Sequence, residues 1–187
     1  MAHGNGPVFR PAGLLVQEQL WIVLVFVGGL PSGMAWLRIA CTPIVIGEHG
    51  DSQVPVLSSA RIAGLPLEGL CQELDLPYDE DALKNIANDT RMAGLAIVRA
   101  KGATYYGIGA ALVRIVDAIL RDEHAVLTVS TLAPAFMDLG EVSLSLPAII
   151  NREGVARVLS ISLDQTEKQA LQASAEILKK YIASLDV

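Results

Sequence analysis

Cysteine is nearly absent from these 187 residues: there are two, Cys41 and Cys71. They lie far apart and belong to no CxxC or Cys/His pattern. That excludes a disulfide framework and a cysteine-built zinc site, and makes a reducing cytoplasm the expected compartment. Basic charge is scarce as well. Fourteen Lys and Arg stand against 20 Asp and Glu, a formal charge of −6, so the chain lacks the basic face that a phosphate backbone requires. Nucleic acid is not an expected partner, and no metal site is expected. Charged residues make up 18% of the chain and apolar ones 52%, too little charge for disorder and enough apolar material for a real core. The length suits one domain of ordinary size, or one and a half.

Charge is rarest in residues 1–46, where only Arg10, Glu18 and Arg38 are ionised. Leu20–Leu37 runs eighteen residues without a charge, the lower edge for a membrane-spanning helix. Arg10 and the small residues Ser32–Ala35 also give the stretch the outline of a signal peptide. Gly28, Gly29, Pro31 and Gly33 interrupt the run and argue against both readings.

From Ile46 onward the pattern is that of a globular domain. Val54–Val56 reads as extended. Asp79 or Asp81 is placed to cap a helix starting near Ala82, with Leu83, Ile86, Thr90, Ala93 and Ile97 along one face. A second helix follows Gly102, with Ile108, Leu112, Ile115, Val116 and Ile119 inward and Arg114, Asp117 and Arg121 outward. The period then changes to two. Val126–Thr131 is strand-like, and Glu141–Leu146 alternates strictly, with Val142, Leu144 and Leu146 on one face. Leu139–Gly140 and Asn151–Gly154 read as turns, and Val155–Leu163 as a further strand. Asp164 and Glu167 form a capping-box pair for a last helix reaching about Leu185, with Leu171, Ile177, Leu178 and Tyr181 as its apolar positions. Two long helices, an antiparallel meander and a closing helix make an α+β pattern.

The segment Gly47-Glu48-His49-Gly50-Asp51-Ser52 holds the chemistry. It places a histidine in a glycine-flanked turn after the apolar Val45-Ile46. Glycine lets the backbone bend and leaves room beside the imidazole. Histidine exchanges a proton near neutral pH. The alternative is a histidine that only hydrogen-bonds its own loop, and on local pattern the two readings stand level.

The run GEHGDSQVPV resembles the active-site signature of the lactate/malate dehydrogenase family. The resemblance continues in Lys101-Gly102-Ala103-Thr104-Tyr105-Tyr106-Gly107-Ile108, which is similar to the lactate branch. It extends through LSLPAIINREGV, residues 144–155, and SAEILKKYI in the last helix. It covers about residues 45–187 and implies that family's C-terminal catalytic-domain fold, long helices with an antiparallel sheet. The resemblance also implies roles. His49 is the proton donor and acceptor at the carbonyl of a 2-oxo acid, and Thr104 contacts the substrate. Thr104 has a second role open to it, as a helix-start hydroxyl satisfying backbone amides. Asp51 and Ser52 are given no catalytic role, and Tyr105 and Tyr106 are read as packing residues.

The family uses NAD, but the sequence holds no glycine-rich βαβ fingerprint, so no cofactor-binding residues are assigned and a Rossmann domain is read as absent. Met1-Ala2-His3-Gly4-Asn5-Gly6 has neither a strand before it nor a helix close behind. The resemblance also calls for a carboxylate-clamping arginine and a histidine-orienting aspartate, in a segment like GSGTxxDxARFR shortly before the histidine motif. VQEQLWIVLVFV stands there instead.

A shifted reading frame reconciles the two. The last base of Trp21 and the first two of Ile22 spell GAT, aspartate, whatever the synonymous codons. Permitted codons turn residues 16–27 into G-S-G-T-x-x-D-S-A-R-F-R, with the aspartate at slot 22 and the arginine at slot 25. Slot 22 lies 27 residues before His49, at the family spacing. Residues 1–44 are therefore expected to be a non-homologous leader, translated out of frame, and residues 45–187 the catalytic domain. The resulting expectation is a fragment of an L-lactate dehydrogenase, the NAD-dependent oxidoreductase joining pyruvate to L-lactate, homo-oligomeric when intact and inactive in this form. Alternatives are a malate dehydrogenase fragment, or a non-catalytic remnant anchored through Leu20–Leu37.

Overall fold

The computed structural model describes residues 44–62, 64–75 and 78–185. The leader through residue 43, with its apolar run, its shifted-frame slots and Cys41, lies outside the described residues.

Two short antiparallel pairs come first. Strand β1 (Ile44–Ile46) pairs with β2 (Val54–Val56), and β3 (Arg61–Ile62) with β4 (Leu65–Pro66). Helix α1 (Leu67–Glu73) leads to α2 (Glu80–Lys101) and α3 (Tyr106–Leu120). Strands β5 (Ala125–Leu132), β6 (Ser143–Asn151) and β7 (Gly154–Val158) form an antiparallel sheet in that order, and α4 (Gln165–Ala183) closes the chain. This is the expected α+β order, with the extended Val54–Val56 found as β2 and with β3, β4 and α1 added.

Strand β6 runs through the centre of the sheet, and its alternation decides what is buried. Leu144, Leu146, Ala148 and Ile150 all face one way and are all buried. Over the first part of this face lie Ile46, Val54 and Val56 of the β1–β2 pair, with Leu171 and Ala175 of α4. Over the second part lies α3, through Ala118, Ile115 and Ile119 against Leu127, Ala148 and Ile150. The β1–β2 pair is tied on directly: Gly47 and Ser145 exchange both backbone hydrogen bonds, at 3.0 and 2.9 Å.

Several sequence expectations need correction. Val155–Leu163 is a strand only to Val158. Leu159 N–H still donates to Pro147 O at 2.8 Å, but Pro147 has no N–H to return the bond, and the ladder stops there. Ile161 and Leu163 pack on the core as irregular chain. On α3 the inward face is Ala111, Ile115, Ala118 and Ile119, while Ile108, Leu112 and Val116 are exposed. Arg114, expected outward, is half-buried and ion-pairs with Glu123. On α4, Leu171 and Leu178 turn inward with Ser174 and Ala175, while Ile177, Tyr181 and the following Ile182 are exposed. In both helices small residues share the close-packed face with a few large ones, and other large apolar residues spill outward.

The starts of α2 and α4 behave as the sequence suggests. Asp79 Oδ1 accepts from Asp81 N–H at 2.9 Å, opening α2 at Glu80. Asp164 and Glu167 complete a capping box at α4, at 2.7 and 3.0 Å. Glu167 also bonds well beyond its own helix. Its buried carboxylate accepts from the N–H and hydroxyl of Ser58. One side chain thus ties the turn after β2 to the start of α4.

Candidate active site

His49 stands on the turn that leaves β1 and returns as β2, with its side chain exposed. The chain turns at Gly47, whose φ of +95° is open to glycine but strained for other residues. A Cβ there would also lie 2.8 Å from the Ser174 hydroxyl, so backbone conformation and space both demand glycine. The other side of the turn closes by Gln53 N–H donating to Gly50 O at 3.2 Å.

Three polar side chains hold this turn. Ser174 on α4 has none of its surface exposed and accepts from Glu48 N–H at 2.8 Å. Its oxygen lies 3.1 Å from the Ser52 hydroxyl. Ser52 donates through its hydroxyl to Glu48 Oε2 at 2.6 Å, and its N–H reaches the same oxygen at 3.3 Å. A carboxylate oxygen only accepts. The Ser52 proton is committed to Glu48, so Ser174 must donate across the 3.1 Å contact. The hydrogen bonds close a ring: Glu48 N–H to Ser174, Ser174 to Ser52, Ser52 to the Glu48 carboxylate. His49 sits between the two anchored residues of the turn.

Thr104 lies on the link between α2 and α3, and it too is exposed. Gly102, with φ +85°, ends α2, its N–H donating to Val98 O at 2.7 Å. The N-cap of α3 is Tyr105, and no side chain caps it, so Thr104 does not fill the capping role open to it in sequence. Tyr105 and Tyr106 are not core packing residues. Both are exposed, edge-to-face at 4.8 Å, with the Lys101 ammonium 4.4 and 5.0 Å from their ring centres. Gln53 of the histidine loop reaches α2 through a 3.5 Å bond to Arg91 O.

A dinucleotide seat needs parallel strands around a glycine-rich turn at a helix N-terminus. Every strand pair among the described residues is antiparallel, so these residues do not fit that group. Among the described residues, no three His, Cys, Asp or Glu are grouped to hold a metal, and no helix is long and apolar enough to cross a membrane.

The model of the lactate/malate dehydrogenase α/β C-terminal domain matches residues 41–186. The chain belongs to the lactate/malate dehydrogenase family. It is similar to the L-lactate dehydrogenase of Nitratidesulfovibrio vulgaris, 43% identical over 75% of this chain and 46% of that protein. It is 47% identical to that of Deinococcus radiodurans over 73% of this chain and 44% of that protein. Among solved structures, a lactate dehydrogenase from a Medee basin deep-sea metagenome library aligns over 89% of this chain and 51% of its own, with TM-score 0.77 and 32% identity. The L-lactate dehydrogenase of Clostridium thermocellum aligns over 92% and 54%, with TM-score 0.75 and 33% identity. The chain spans about half the length of the curated relatives it matches.

Sequence reasoning singled out His49 and Thr104 but missed the groups that hold the histidine turn: Glu48, Ser52 and Ser174. A signal for Ser174 existed. It interrupts the inward line of α4 between Leu171 and Leu178, where a buried hydroxyl requires a partner.

Proposed function

We propose that this protein is the catalytic-domain part of an L-lactate dehydrogenase and that its own chemical contribution is proton transfer by His49. The observation that carries the reading is an exposed imidazole on a turn fixed at both neighbours, in a domain of this family. His49 gives a proton to the carbonyl oxygen of pyruvate and takes it back from the hydroxyl of L-lactate. Thr104, exposed on the α2–α3 link, contacts the 2-oxo acid. NAD would supply the hydride chemistry, from a seat that is not among the described residues. Lactate is preferred over malate because of the KGATYYG segment and because the relatives from N. vulgaris and D. radiodurans are L-lactate dehydrogenases. A cytoplasmic homo-oligomer, a tetramer, is the form proposed for the intact enzyme.

Residues 1–44 are proposed to be an out-of-frame leader, with the histidine-orienting aspartate and the substrate-clamping arginine encoded at slots 22 and 25, where Ile22 and Val25 stand. Sequencing the locus tests this. A gene in frame through codon 45, with no length discrepancy, overturns it. The 187-residue polypeptide itself is expected neither to bind NADH at micromolar concentration nor to oxidise it with pyruvate. The frame-corrected, upstream-extended protein is expected to do both. In that protein His49→Ala should lower turnover about 100- to 10,000-fold, the usual weight of a general acid–base group. Near-normal turnover in the variant would show that His49 is not the proton donor.

A further inference from the structure

We propose that Ser174 is a positioning residue for His49, acting from the last helix through the backbone of the histidine turn; this rests on the catalytic reading of His49. The turn is tied to the sheet and to α4 by backbone and side-chain bonds. Beyond the Gly47–Ser145 pair, the bond that fixes its leading side is Glu48 N–H to the Ser174 hydroxyl at 2.8 Å. That hydroxyl is fully buried. It also fills the space a side chain at position 47 would occupy, so Gly47 and Ser174 fit as a pair. The direction of the ring follows from the carboxylate of Glu48. Ser174 accepts from Glu48 and donates to Ser52, which donates to Glu48. Each bond in such a chain polarises the next.

Alanine at 174 breaks the ring at two points. The Glu48 N–H is left without its acceptor and Ser52 without its donor. The chain at His49 gains freedom while the sheet keeps its contacts. Reacting groups displaced by about 1 Å can lose 100-fold in rate, so small freedom in this turn is costly. Cysteine at 174 separates the two contributions the residue makes. It fills the space of serine but is a weak hydrogen-bonding partner.

The test is amide hydrogen exchange by NMR on the 187-residue chain, with His49 ring signals read alongside. In Ser174→Ala the Glu48 amide should exchange about tenfold faster, the equivalent of one lost hydrogen bond. The His49 ring signals should shift, and amides of β5 and β6 such as Val129 and Leu144 should keep their protection. Ser174→Cys should behave like the alanine variant. Unchanged Glu48 exchange in Ser174→Ala, or full restoration by Ser174→Cys, overturns the proposal: the first shows no hold on the turn, the second shows packing alone. In the frame-corrected enzyme, Ser174→Ala should lower kcat about tenfold or more with a smaller change in KM for pyruvate. The exchange measurement involves no catalysis, and the His49→Ala assay involves no Ser174, so failure of the positioning role and failure of the catalytic reading are read separately.

Discussion

The two long-range supports of the sheet differ in kind. Where the β1–β2 pair and α4 cover β6, contacts are apolar and fully buried, and polar groups close on one another through Ser174 and Glu167. Where α3 covers it, Ala118 makes the buried contact with Ile115 and Ile119 half-buried beside it, and the helix presents Leu112, Val113, Val116 and Leu120 outward. Both helices have an apolar periodicity in sequence. The difference teaches that periodicity reports an apolar stripe but not what lies against it. On α4 the stripe meets the core. On α3 much of it meets nothing among the described residues, and the sheet is reached by Ala118, Ile115 and Ile119.

The comparison breaks most readily at Leu146, which has no exposed surface. Leu146→Ala should cost about 2–5 kcal/mol, the range for a buried leucine that leaves a cavity. Leu112 is 55% exposed on α3, and Leu112→Ala should stay within about 0.5 kcal/mol. Urea unfolding of both variants checks the pair. A large loss at Leu112 would mean that the outer face of α3 is covered in solution.

Glu167 sharpens the polar side of the same contrast. Its carboxylate accepts from Ser58 N–H, the Ser58 hydroxyl and Asp164 N–H. Glu167→Gln turns one accepting oxygen into a donating nitrogen and removes the charge. The expected loss is about 1–3 kcal/mol, the cost of leaving a buried partner unpaired. Chemical denaturation at neutral pH measures it, and an unchanged midpoint would reduce Glu167 to an ordinary cap.

These cases also show what was legible in the sequence. The alternation of Val142, Leu144 and Leu146 was readable because a strand in a sheet with one covered face has a strict period of two. The Asp164–Glu167 box was readable because its partners lie three residues apart. The histidine turn was found through its glycines and the family resemblance. Bonds that span the chain were not readable: Ser174 lies 126 residues from Glu48, and Ser58 lies 109 from Glu167. Such pairings exist only once the fold has set the distance. Likewise the inward face of α3 was legible only in part: Ile115 and Ile119 do face the sheet, but Ile108, Leu112 and Val116 do not, and the fully buried position is Ala118.

The smallest expected effect lies at the end of α3. Asp122 follows the helix with φ +54°. Its N–H donates to Ile119 O at 3.2 Å, while Glu123 N–H reaches back to Ala118 O at 3.0 Å, the paired closure of a Schellman motif. The Asp122 carboxylate then spans to the β6–β7 turn. Arg152 N–H donates to Oδ1 at 3.0 Å, and Arg152 Nε lies 3.1 Å from Oδ2. The backbone bond from Arg152 is the leading cause that holds Asp122 below the ordinary value of 3.8; the charges of Arg152 and His124 add to it, and desolvation opposes it. A carboxyl depressed in the folded state favours folding when ionised. Its contribution is complete above the ordinary value and is lost as the pH falls through the lower, folded one. Asp122→Asn keeps a residue that tolerates the left-handed backbone and retains an oxygen for Arg152 N–H, but it removes the charge. Urea midpoints should therefore place the wild type modestly above the variant near neutral pH and bring the two together as the pH falls through the lowered, folded value. A gap that persists in acid would show that the side chain acts through geometry, with no part for its charge.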